Sequence, residues 1–215
     1  MHHLGFTNKE AINAIELRQL KVNNQVVEAN IEFNDTWDIY LNDVLLKPKT
    51  HYTYIALYKP RGIETTNNTQ IPDNLGTVFQ FDMHLGYAGR LDKESEGLLL
   101  LSNDGKYIQK LSSPLYHKEK EYHVTVNKPI TDEFVEAMAN GLDIVICITK
   151  PCVVEKTSDF VFKIILTEGK NKQIRRMCKK LGYGVAQLIR TRIDSVTLGE
   201  LKAGEFRYYD GGILN

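Results

Sequence analysis

The chain has 215 residues and equal numbers of basic and acidic side chains, 27 of each, so its formal net charge is zero. This balance excludes the strongly basic surface of a generic nucleic-acid binder, and any nucleic-acid contact must come from a local cluster of cations. Hydrophobic residues make up 42% of the chain and charged residues 25%, which is typical of a globular protein with one or two domains and a real core.

A helix followed by short strands is predicted for the first fifty residues. Thr7 and Glu10 have the spacing of a capping box, so a helix is expected to begin there. A small hairpin is predicted about Asn23-Asn24, and alternating apolar residues predict a further strand: Trp37, Ile39 and Leu41. Residues 45–49 are expected to form a linker. The first fifty residues carry five basic and seven acidic side chains, a net charge of −2, so tight phosphate binding is not expected from them alone.

A loop and a buried strand are predicted in the segment 89–105, GRLDKESEGLLLLSNDG. The apolar run from Leu98 to Leu101 lies between a glycine and the polar sequence SNDG, which favours a strand buried on both faces. Asp92 would then lie in the loop that enters this strand. Because burial penalises a charged carboxylate, a cation is expected to face Asp92. One interpretation is a local pair with Arg90, and the other is a cation from a distant part of the chain.

Strand and helix patterns follow without a regular βαβ rhythm in the second half of the chain. In residues 121–126, the side chains of Tyr122, Val124 and Val126 fall on one face of a half-buried strand. The other predicted elements are a helix from Thr131 through Met138 closed by Gly141, and strands near Val145 and over residues 160–166 and 185–193. This order predicts an α+β fold with a mixed, largely antiparallel sheet.

Cations cluster between Glu168 and Lys180, where six basic residues and one acidic residue give a net charge of +5. A helix is predicted there, with Asn171 as its N-cap and Gly182 just beyond its end. Its buried stripe has helical spacing: Ile174, Met177, Cys178 and Leu181. The cations occupy the remaining surface, which is either a solvated helix face or a phosphate-binding surface.

The sequence predicts neither a metal site nor a disulfide framework. The three cysteines, Cys147, Cys152 and Cys178, lack Cys-x-x-Cys spacing, and the six histidines form no ligand pattern. No apolar run approaches the length of a membrane span and no targeting signal is visible, so a cytoplasmic protein is expected.

These fragments together resemble the RNA pseudouridine synthases, in particular the branch that acts on ribosomal small- and large-subunit RNA. The sequences GRLD, GLL and NDG match the signature of this family, EGKNKQIRRM resembles its third motif, and YKPRG resembles its first. The family has an α+β fold with a mixed, largely antiparallel sheet. The resemblance covers nearly the whole chain, and NKPITDEF together with LIRTRI is most similar to the large-subunit members.

The resemblance implies roles for individual residues. Asp92 would be the catalytic carboxylate, Arg175 would pair with it, and Tyr122 would stack on a flipped uracil with its hydroxyl near the reaction. Leu188 would lie beneath the target base, and Arg90 would fill the space that the base leaves. The remaining RNA-binding candidates are Lys59, in a fragment that serves as scaffold of the site, and the helix cations Lys172, Arg176 and Lys179.

Residues 1–47 resemble an S4 RNA-binding module, which precedes the catalytic domain in this branch. Such modules begin with a helix before the position of Thr7, so an incomplete module is expected here. Residues 51–215 are expected to form the pseudouridine synthase catalytic domain.

The reaction implied by the resemblance is isomerisation of a uridine in RNA, by a monomer that needs no cofactor and no metal. The expected target is 23S ribosomal RNA, with a tRNA uridine as the alternative. Two other interpretations stay open. In the first, the chain is a ribosome-assembly factor that binds RNA without chemistry. In the second, it is an enzyme that hydrolyses a glycosidic bond. Hydrolysis usually needs a second carboxylate, for which Glu94 and Glu96 are the nearest candidates.

Overall fold

A computed structural model of the protein describes residues 5–32 and 34–211. The chain divides into two compact units, Met1–Tyr52 and Thr53–Asn215. None of the helices in the described ranges combines the length and the hydropathy that a membrane-spanning segment needs.

The first unit contains one helix and a four-stranded antiparallel sheet in the order β2-β1-β3-β4. Its elements are α1 (Asn8–Glu16), β1 (Leu20–Val22), β2 (Gln25–Val26), β3 (Ile39–Leu41) and β4 (Val44–Lys47). A small core of Leu20, Val27 and Ile39 holds it together.

Local signals predicted the start of this unit correctly. The Thr7 hydroxyl accepts a hydrogen bond from the Glu10 amide (3.3 Å), and the Glu10 carboxylate accepts one from the Thr7 amide (2.8 Å), which is the predicted capping box. The predicted hairpin also forms. Asn23 and Asn24 both have positive φ angles, 47° and 66°, as a two-residue turn between twisted strands requires.

The predicted linker over residues 45–49 is wrong for its first three residues, which belong to β4. Asn42 and Asp43 have positive φ angles of 49° and 66° and form a second tight turn, which pairs β4 with β3. Asn and Asp tolerate this left-handed conformation, so the dipeptide carried the same hairpin signal as Asn23-Asn24.

The second unit is built on one nine-stranded mixed sheet. Its main path runs β13-β5-β7-β11-β8-β10-β9, with β12 paired to β11 and β6 paired to β7. Among these described pairs, β7 and β11 run parallel and the others run antiparallel. The strands are β5 (Tyr54–Lys59), β6 (Gly86–Ala88), β7 (Glu96–Ser102), β8 (Lys120–Val126), β9 (Val153–Lys156), β10 (Val161–Leu166), β11 (Val185–Ile193), β12 (Val196–Thr197) and β13 (Phe206–Tyr208). The predicted α+β class with a largely antiparallel sheet is confirmed.

In the described part of this unit, four α-helices and one short 3-10 helix (Pro114–Tyr116) accompany the sheet. The α-helices are α2 (Leu75–Val78), α3 (Gly105–Ser112), α4 (Asp132–Asn140) and α5 (Gln173–Lys180). The predicted helix after Pro129 is α4, with Thr131 as its N-cap and Gly141 as its C-cap. The strand predicted near Val145 is wrong, because the structure has only an isolated bridge between Asp143 and Ile148 there.

Strand β7 is buried on both faces, as its apolar run predicted. Leu98 and Leu100 pack into a core cluster with residues of α3, whereas Leu99 and Leu101 pack into a second cluster with Leu75 of α2. All four leucines are at most 2% exposed. The polar sequence after them begins a helix, because the Asp104 side chain accepts hydrogen bonds from the Lys106 and Tyr107 amides, the second and third of α3, and caps it. The loop that carries Asp92 therefore enters the most buried strand of the unit.

Helix α5 has the predicted buried stripe and the predicted end. Ile174, Met177 and Cys178 are at most 4% exposed, and Gly182 follows the helix with a φ angle of 80°. The predicted N-cap is wrong by one residue. Lys172 takes that position with a φ angle of 51° and makes no side-chain cap. The carbonyl oxygen of the Gln173 side chain accepts a hydrogen bond from the Lys170 amide (3.0 Å) and orders the turn before the helix instead.

Candidate active site

Side chains from separate segments of the second unit line one cavity of about 380 Å³. This volume lies within the range of about 300–1,000 Å³ that is typical of small-molecule sites, so it can hold a base with part of its sugar. Five residues that the sequence singled out lie in its wall: Arg90, Asp92, Tyr122, Lys172 and Leu188. The other four, Lys59, Arg175, Arg176 and Lys179, lie outside that wall.

The loop between β6 and β7 that carries Asp92 is held on both sides of that residue. The buried Thr65 hydroxyl donates a hydrogen bond to the Leu91 carbonyl (2.7 Å) and accepts one from the Leu91 amide (3.2 Å). On the other side, the Gly62 amide donates to the Lys93 carbonyl (2.8 Å). These bonds fix the backbone of Asp92, so its half-buried carboxylate is presented to the cavity in a defined position.

The predicted ion pair between Asp92 and Arg175 is not formed among the described residues. The Arg175 guanidinium instead donates to the Glu94 carbonyl (2.7 Å), to the Val185 carbonyl (3.3 Å) and to the Ser95 hydroxyl (3.4 Å). Glu94 and Ser95 belong to the same loop as Asp92. Arg175 thus reaches the loop that carries Asp92, but its guanidinium binds the Glu94 carbonyl and the Ser95 hydroxyl of that loop and not the Asp92 carboxylate.

Tyr122 and Leu188 come from adjacent antiparallel strands, β8 and β11. The predicted alternation of β8 is confirmed, since Val124 and Val126 are at most 3% exposed and Tyr122 packs against the same core cluster. Leu188 is 6% exposed, lies opposite Val124 in the sheet register and belongs to that cluster. Both side chains thus contribute an apolar part of the cavity wall that rests on the core.

Arg190 was missed by the reasoning from sequence. Its side chain is 1% exposed and lines the cavity next to Asp92 and Tyr122. A signal was present in LIRTRI, where an arginine stands two residues after Leu188 and therefore on the same face of an apolar strand. Burying a cation in such a position costs free energy unless hydrogen-bond partners or an opposite charge compensate it.

Lys120 also lines the cavity, at the start of β8. Its ammonium group donates to the Lys118 carbonyl (3.1 Å). Burial, followed by the charge of Arg190, lowers the pKa of Lys120 to about 8, while Asp194 acts in the opposite direction. The side chain is thus a cation near neutral pH that loses its charge under mildly alkaline conditions.

A buried carboxylate, Glu168, forms another part of the wall. It is 7% exposed and accepts hydrogen bonds from the Gln173 side chain (2.8 Å) and from the Lys150 amide (3.1 Å). The sequence reasoning had counted Glu168 only as the one acidic residue of the basic segment. Glu94 and Glu96, the second carboxylates considered for hydrolysis, lie outside the wall, and Glu94 pairs with Arg61 (2.6 Å).

Lys59 is buried, so its side chain is not available to contact RNA, contrary to its place among the RNA-binding candidates. It is 0% exposed and donates to the carbonyls of Pro60 (2.8 Å) and Ile63 (2.6 Å). Burial, followed by the charge of Arg190, lowers the pKa of Lys59 to about 8. The side chain ties together the turn that supports the Asp92 loop, so it is part of the scaffold.

The cations of α5 divide into two kinds. Lys172 lines the cavity and Lys179 is exposed, so both are available to an anionic ligand. Arg176 instead folds back onto Asn171, donating to its backbone carbonyl (3.0 Å) and to its side-chain oxygen (3.4 Å). A phosphate-binding surface would therefore depend more on the two lysines than on Arg176.

Within residues 5–32 and 34–211, no group of three or more His, Cys, Asp or Glu side chains could hold a metal ion. The three cysteines carry free thiols. Burial is the main cause that raises the pKa of the Cys152 thiol to about 11 and that of Cys178 to about 12, so neither is a reactive thiolate at neutral pH. The titratable side chains that line the cavity are two carboxylates, Asp92 and Glu168, one phenol, Tyr122, and several cations.

Comparisons with known proteins agree on one family. The model of the family described as RNA pseudouridylate synthase matches residues 53–180. The chain is 40% identical over 192 residues to the dual-specificity RNA pseudouridine synthase RluF of Salmonella typhi, an alignment that covers 88% of the chain. It is 32% identical over 218 residues to the ribosomal small subunit pseudouridine synthase A of Haemophilus influenzae, covering 95% of the chain and 91% of that protein.

The solved structure of a pseudouridylate synthase superimposes with a TM-score of 0.69 at 32% identity, covering 97% of this chain and 93% of the other. The RluF proteins are longer than this chain. It spans 64% of the length of the Salmonella typhi protein and 59% of the length of the one from Escherichia coli strain K12, which is 42% identical over 171 residues.

Proposed function

The chain belongs to the RNA pseudouridylate synthase family, and on that premise we propose that it converts uridine to pseudouridine within RNA. One observation carries the proposal most directly. Asp92, Tyr122 and Leu188 come from three separate segments of the chain, and all three line one cavity of the size of a nucleoside. The observed cavity is what an enzyme needs if it isolates a single base from a polymer.

The proposed reaction begins when the target uridine leaves its stack and enters the cavity. Extrusion costs roughly a few kcal/mol in lost stacking and pairing. Tyr122 would stack on the uracil ring and Leu188 would support its other side. Arg90, which is exposed at the rim of the same wall, would fill the space that the base leaves in the RNA.

Asp92 would act on the sugar and then on the base. Its carboxylate attacks or assists at C1′ while the bond from C1′ to N1 breaks, and the freed uracil turns so that C5 forms the new bond to C1′. The proton at C5 is then removed, and N1 ends the reaction protonated. The product has the same atoms as the substrate, so no oxidant, reductant or external cofactor is needed. Arg175 would contribute by fixing the Asp92 loop through the Glu94 carbonyl.

For the substrate we propose ribosomal RNA, with 23S rRNA as the first candidate and a tRNA uridine as the alternative. One relative is named a dual-specificity RNA pseudouridine synthase, which supports testing more than one class of RNA, and another is named for the ribosomal small subunit, which supports ribosomal RNA as a substrate class. Lys172 in the cavity wall and the exposed Lys179 on α5 supply cations that suit an RNA backbone.

We further propose that residues 1–47 form an S4-like RNA-binding module, that residues 51–215 form the catalytic domain, and that the protein acts as a monomer. The helix followed by two hairpins in the first unit supports an S4-like module. Its net charge of −2 over residues 1–50 argues that its contribution is recognition of RNA shape more than tight phosphate binding.

Product analysis tests the proposed function. The full chain is incubated with uridine-labelled rRNA and tRNA transcripts, and the RNA is digested to nucleosides. The proposal predicts labelled pseudouridine in at least one transcript. Unmodified uridine with retained RNA binding would favour an assembly factor without chemistry, and free uracil with an abasic site would favour hydrolysis; either result would overturn the proposal.

A further inference from the structure

Arg190 is an arginine that the fold buries completely beside the cavity. Its side chain is 1% exposed on β11, one of the central strands of the sheet. Burial of a guanidinium is costly, and burial lowers the pKa of Arg190. An apolar side chain of similar size would stabilise the folded strand at least as well as the charged guanidinium.

A buried arginine with a purely structural role is normally neutralised by a carboxylate. Arg192, two residues further along the same strand and partly exposed, is neutralised in this way, since it pairs with Glu119 (3.0 Å) and with Glu121 (3.6 Å). Within the described part of the chain, no carboxylate forms such an ion pair with Arg190. Its Nη2 atom is also buried without a hydrogen-bond partner there. Arg190 therefore differs from Arg192 on the same strand, because no carboxylate in the described part of the chain serves as its counter-ion.

The partners that Arg190 does have belong to the site. Its Nε atom donates to the Leu98 carbonyl on β7 (2.7 Å), and its Nη1 atom donates to the Arg90 carbonyl (3.5 Å). Arg90 lies two residues before Asp92 in the same loop. One guanidinium therefore links the loop of the catalytic carboxylate to the central strand of the sheet.

The same guanidinium lies next to Tyr122. The two residues are direct neighbours in the register of β11 and β8, and both line the cavity. The Tyr122 hydroxyl acts on the pKa of Arg190 in the direction opposite to burial. Arg190 thus contacts both the Asp92 loop and Tyr122 on β8. These two elements must be aligned if a base is to be held between them.

We propose that Arg190 is a positioning residue of this site, which holds the Asp92 loop and the Tyr122 side chain in fixed register across the cavity. The inference rests on the proposed function and deepens it. The chemistry of a guanidinium suits this role, because its planar fork can bond a carbonyl on each side while it stays charged. A lysine can bond one of these partners well but not both.

Two substitutions test the proposal in the full chain: Arg190→Met removes the charge and Arg190→Lys keeps it. The matched controls are Arg192→Met and Arg192→Lys on the same strand. Because a misplacement of about 1 Å can cost about 100-fold in rate, Arg190→Met is expected to lower the single-turnover rate of pseudouridine formation by about that factor. The KM for RNA is expected to change much less, and Arg190→Lys should recover part of the rate. The Arg192 variants should keep the wild-type rate.

A double-mutant cycle with Tyr122→Phe separates positioning from a general loss of structure. If Arg190 acts through the site, Arg190→Lys should lower the rate less in the Tyr122→Phe background than in the wild-type background. Equal factors in the two backgrounds, or a wild-type rate in Arg190→Lys and Arg190→Met, would overturn the inference while leaving the proposed function intact. A wild-type protein that forms no pseudouridine would overturn both. If Arg190→Met does not fold, Arg190→Lys and the cycle decide the question.

Discussion

The hydroxyl group of Thr65 donates a hydrogen bond to the carbonyl oxygen of Leu91 (2.7 Å) and accepts one from the amide of the same residue (3.2 Å). Both residues are buried, at 1% and 4% exposure. One side chain therefore satisfies both backbone polar groups of the residue that directly precedes Asp92.

Thr65→Val is expected to remove both hydrogen bonds while keeping the shape of the side chain. Each buried group left without a partner costs about 1–3 kcal/mol, so with two such groups the free energy of unfolding should fall by roughly 2–6 kcal/mol. Because the freed backbone belongs to the Asp92 loop, kcat should fall more than KM rises. Chemical denaturation and steady-state kinetics measure the two effects. Thr125→Val on β8 is the control, and equal effects of the two variants would contradict the account.

Gly97 is the position in β7 where a larger side chain is least tolerable. Its φ angle is 107°, and a Cβ atom there would lie 2.4 Å from the backbone oxygen and 2.6 Å from the backbone nitrogen of Arg190. Backbone of a paired strand cannot move away, so Gly97→Ala is expected to destabilise the protein by about 2–5 kcal/mol. Gly105→Ala is the matched control, since a Cβ there would meet nothing within 4 Å at the start of α3. A similar unfolding midpoint for the two variants would contradict the observed strand packing.

Lys172 in the cavity wall and the exposed Lys179 on α5 should both contribute to the salt dependence of RNA binding. Lys172→Gln and Lys179→Gln are each expected to reduce the slope of log affinity against log salt by about 0.9 for a duplex contact, and by about 0.7 for a single strand. Arg176→Gln should have a smaller effect, because its guanidinium is bound to Asn171. Binding titrations at several salt concentrations measure the slopes, with the exposed Lys202→Gln as control. Unchanged slopes in both lysine variants would mean that this helix face is only solvated.

Lys120 should make stability depend on pH in the alkaline range. Its pKa is about 8 in the folded protein and 10.5 in the reference state, so between these values the unfolded chain binds more protons. The free energy of unfolding that Lys120 contributes therefore rises with pH across this window, by at most about 3 kcal/mol at about 1.4 kcal/mol per unit. The free energy of unfolding of wild type minus that of Lys120→Met, measured by denaturation, should therefore be higher at pH 10 than at pH 7.5. Lys202→Met should show no such growth, and a constant difference for Lys120→Met would exclude the shift.

Periodicity and local signals predicted much of the fold because they depend on short segments. The leucine run of β7 reads as buried on both faces, and the apolar stripe of α5 has helical spacing whatever packs against it. The β4 hairpin was missed although its Asn42-Asp43 turn carries the same conformational signal as Asn23-Asn24. Pro48, directly after this strand, favours a linker, whereas the Asn42-Asp43 turn before the strand favours a hairpin.

The site was predictable as a set of residues and less so as a set of contacts. The motifs singled out Asp92, Tyr122 and Leu188, and in the structure these three residues line one cavity. They could not determine which atoms Arg175 binds, because carbonyls and a carboxylate of one loop lie within reach of the same side chain. Arg190 was overlooked because an arginine in a strand is usually exposed, and only the tertiary arrangement shows that it is buried.

The most direct measurement is the product formed by Asp92→Asn, a change that removes the charge and keeps the shape of the side chain. The account predicts that this variant binds the RNA with nearly wild-type affinity and forms no pseudouridine in single-turnover assays analysed as nucleosides. Pseudouridine formed at the wild-type rate by Asp92→Asn would contradict the assignment of the reaction to this carboxylate.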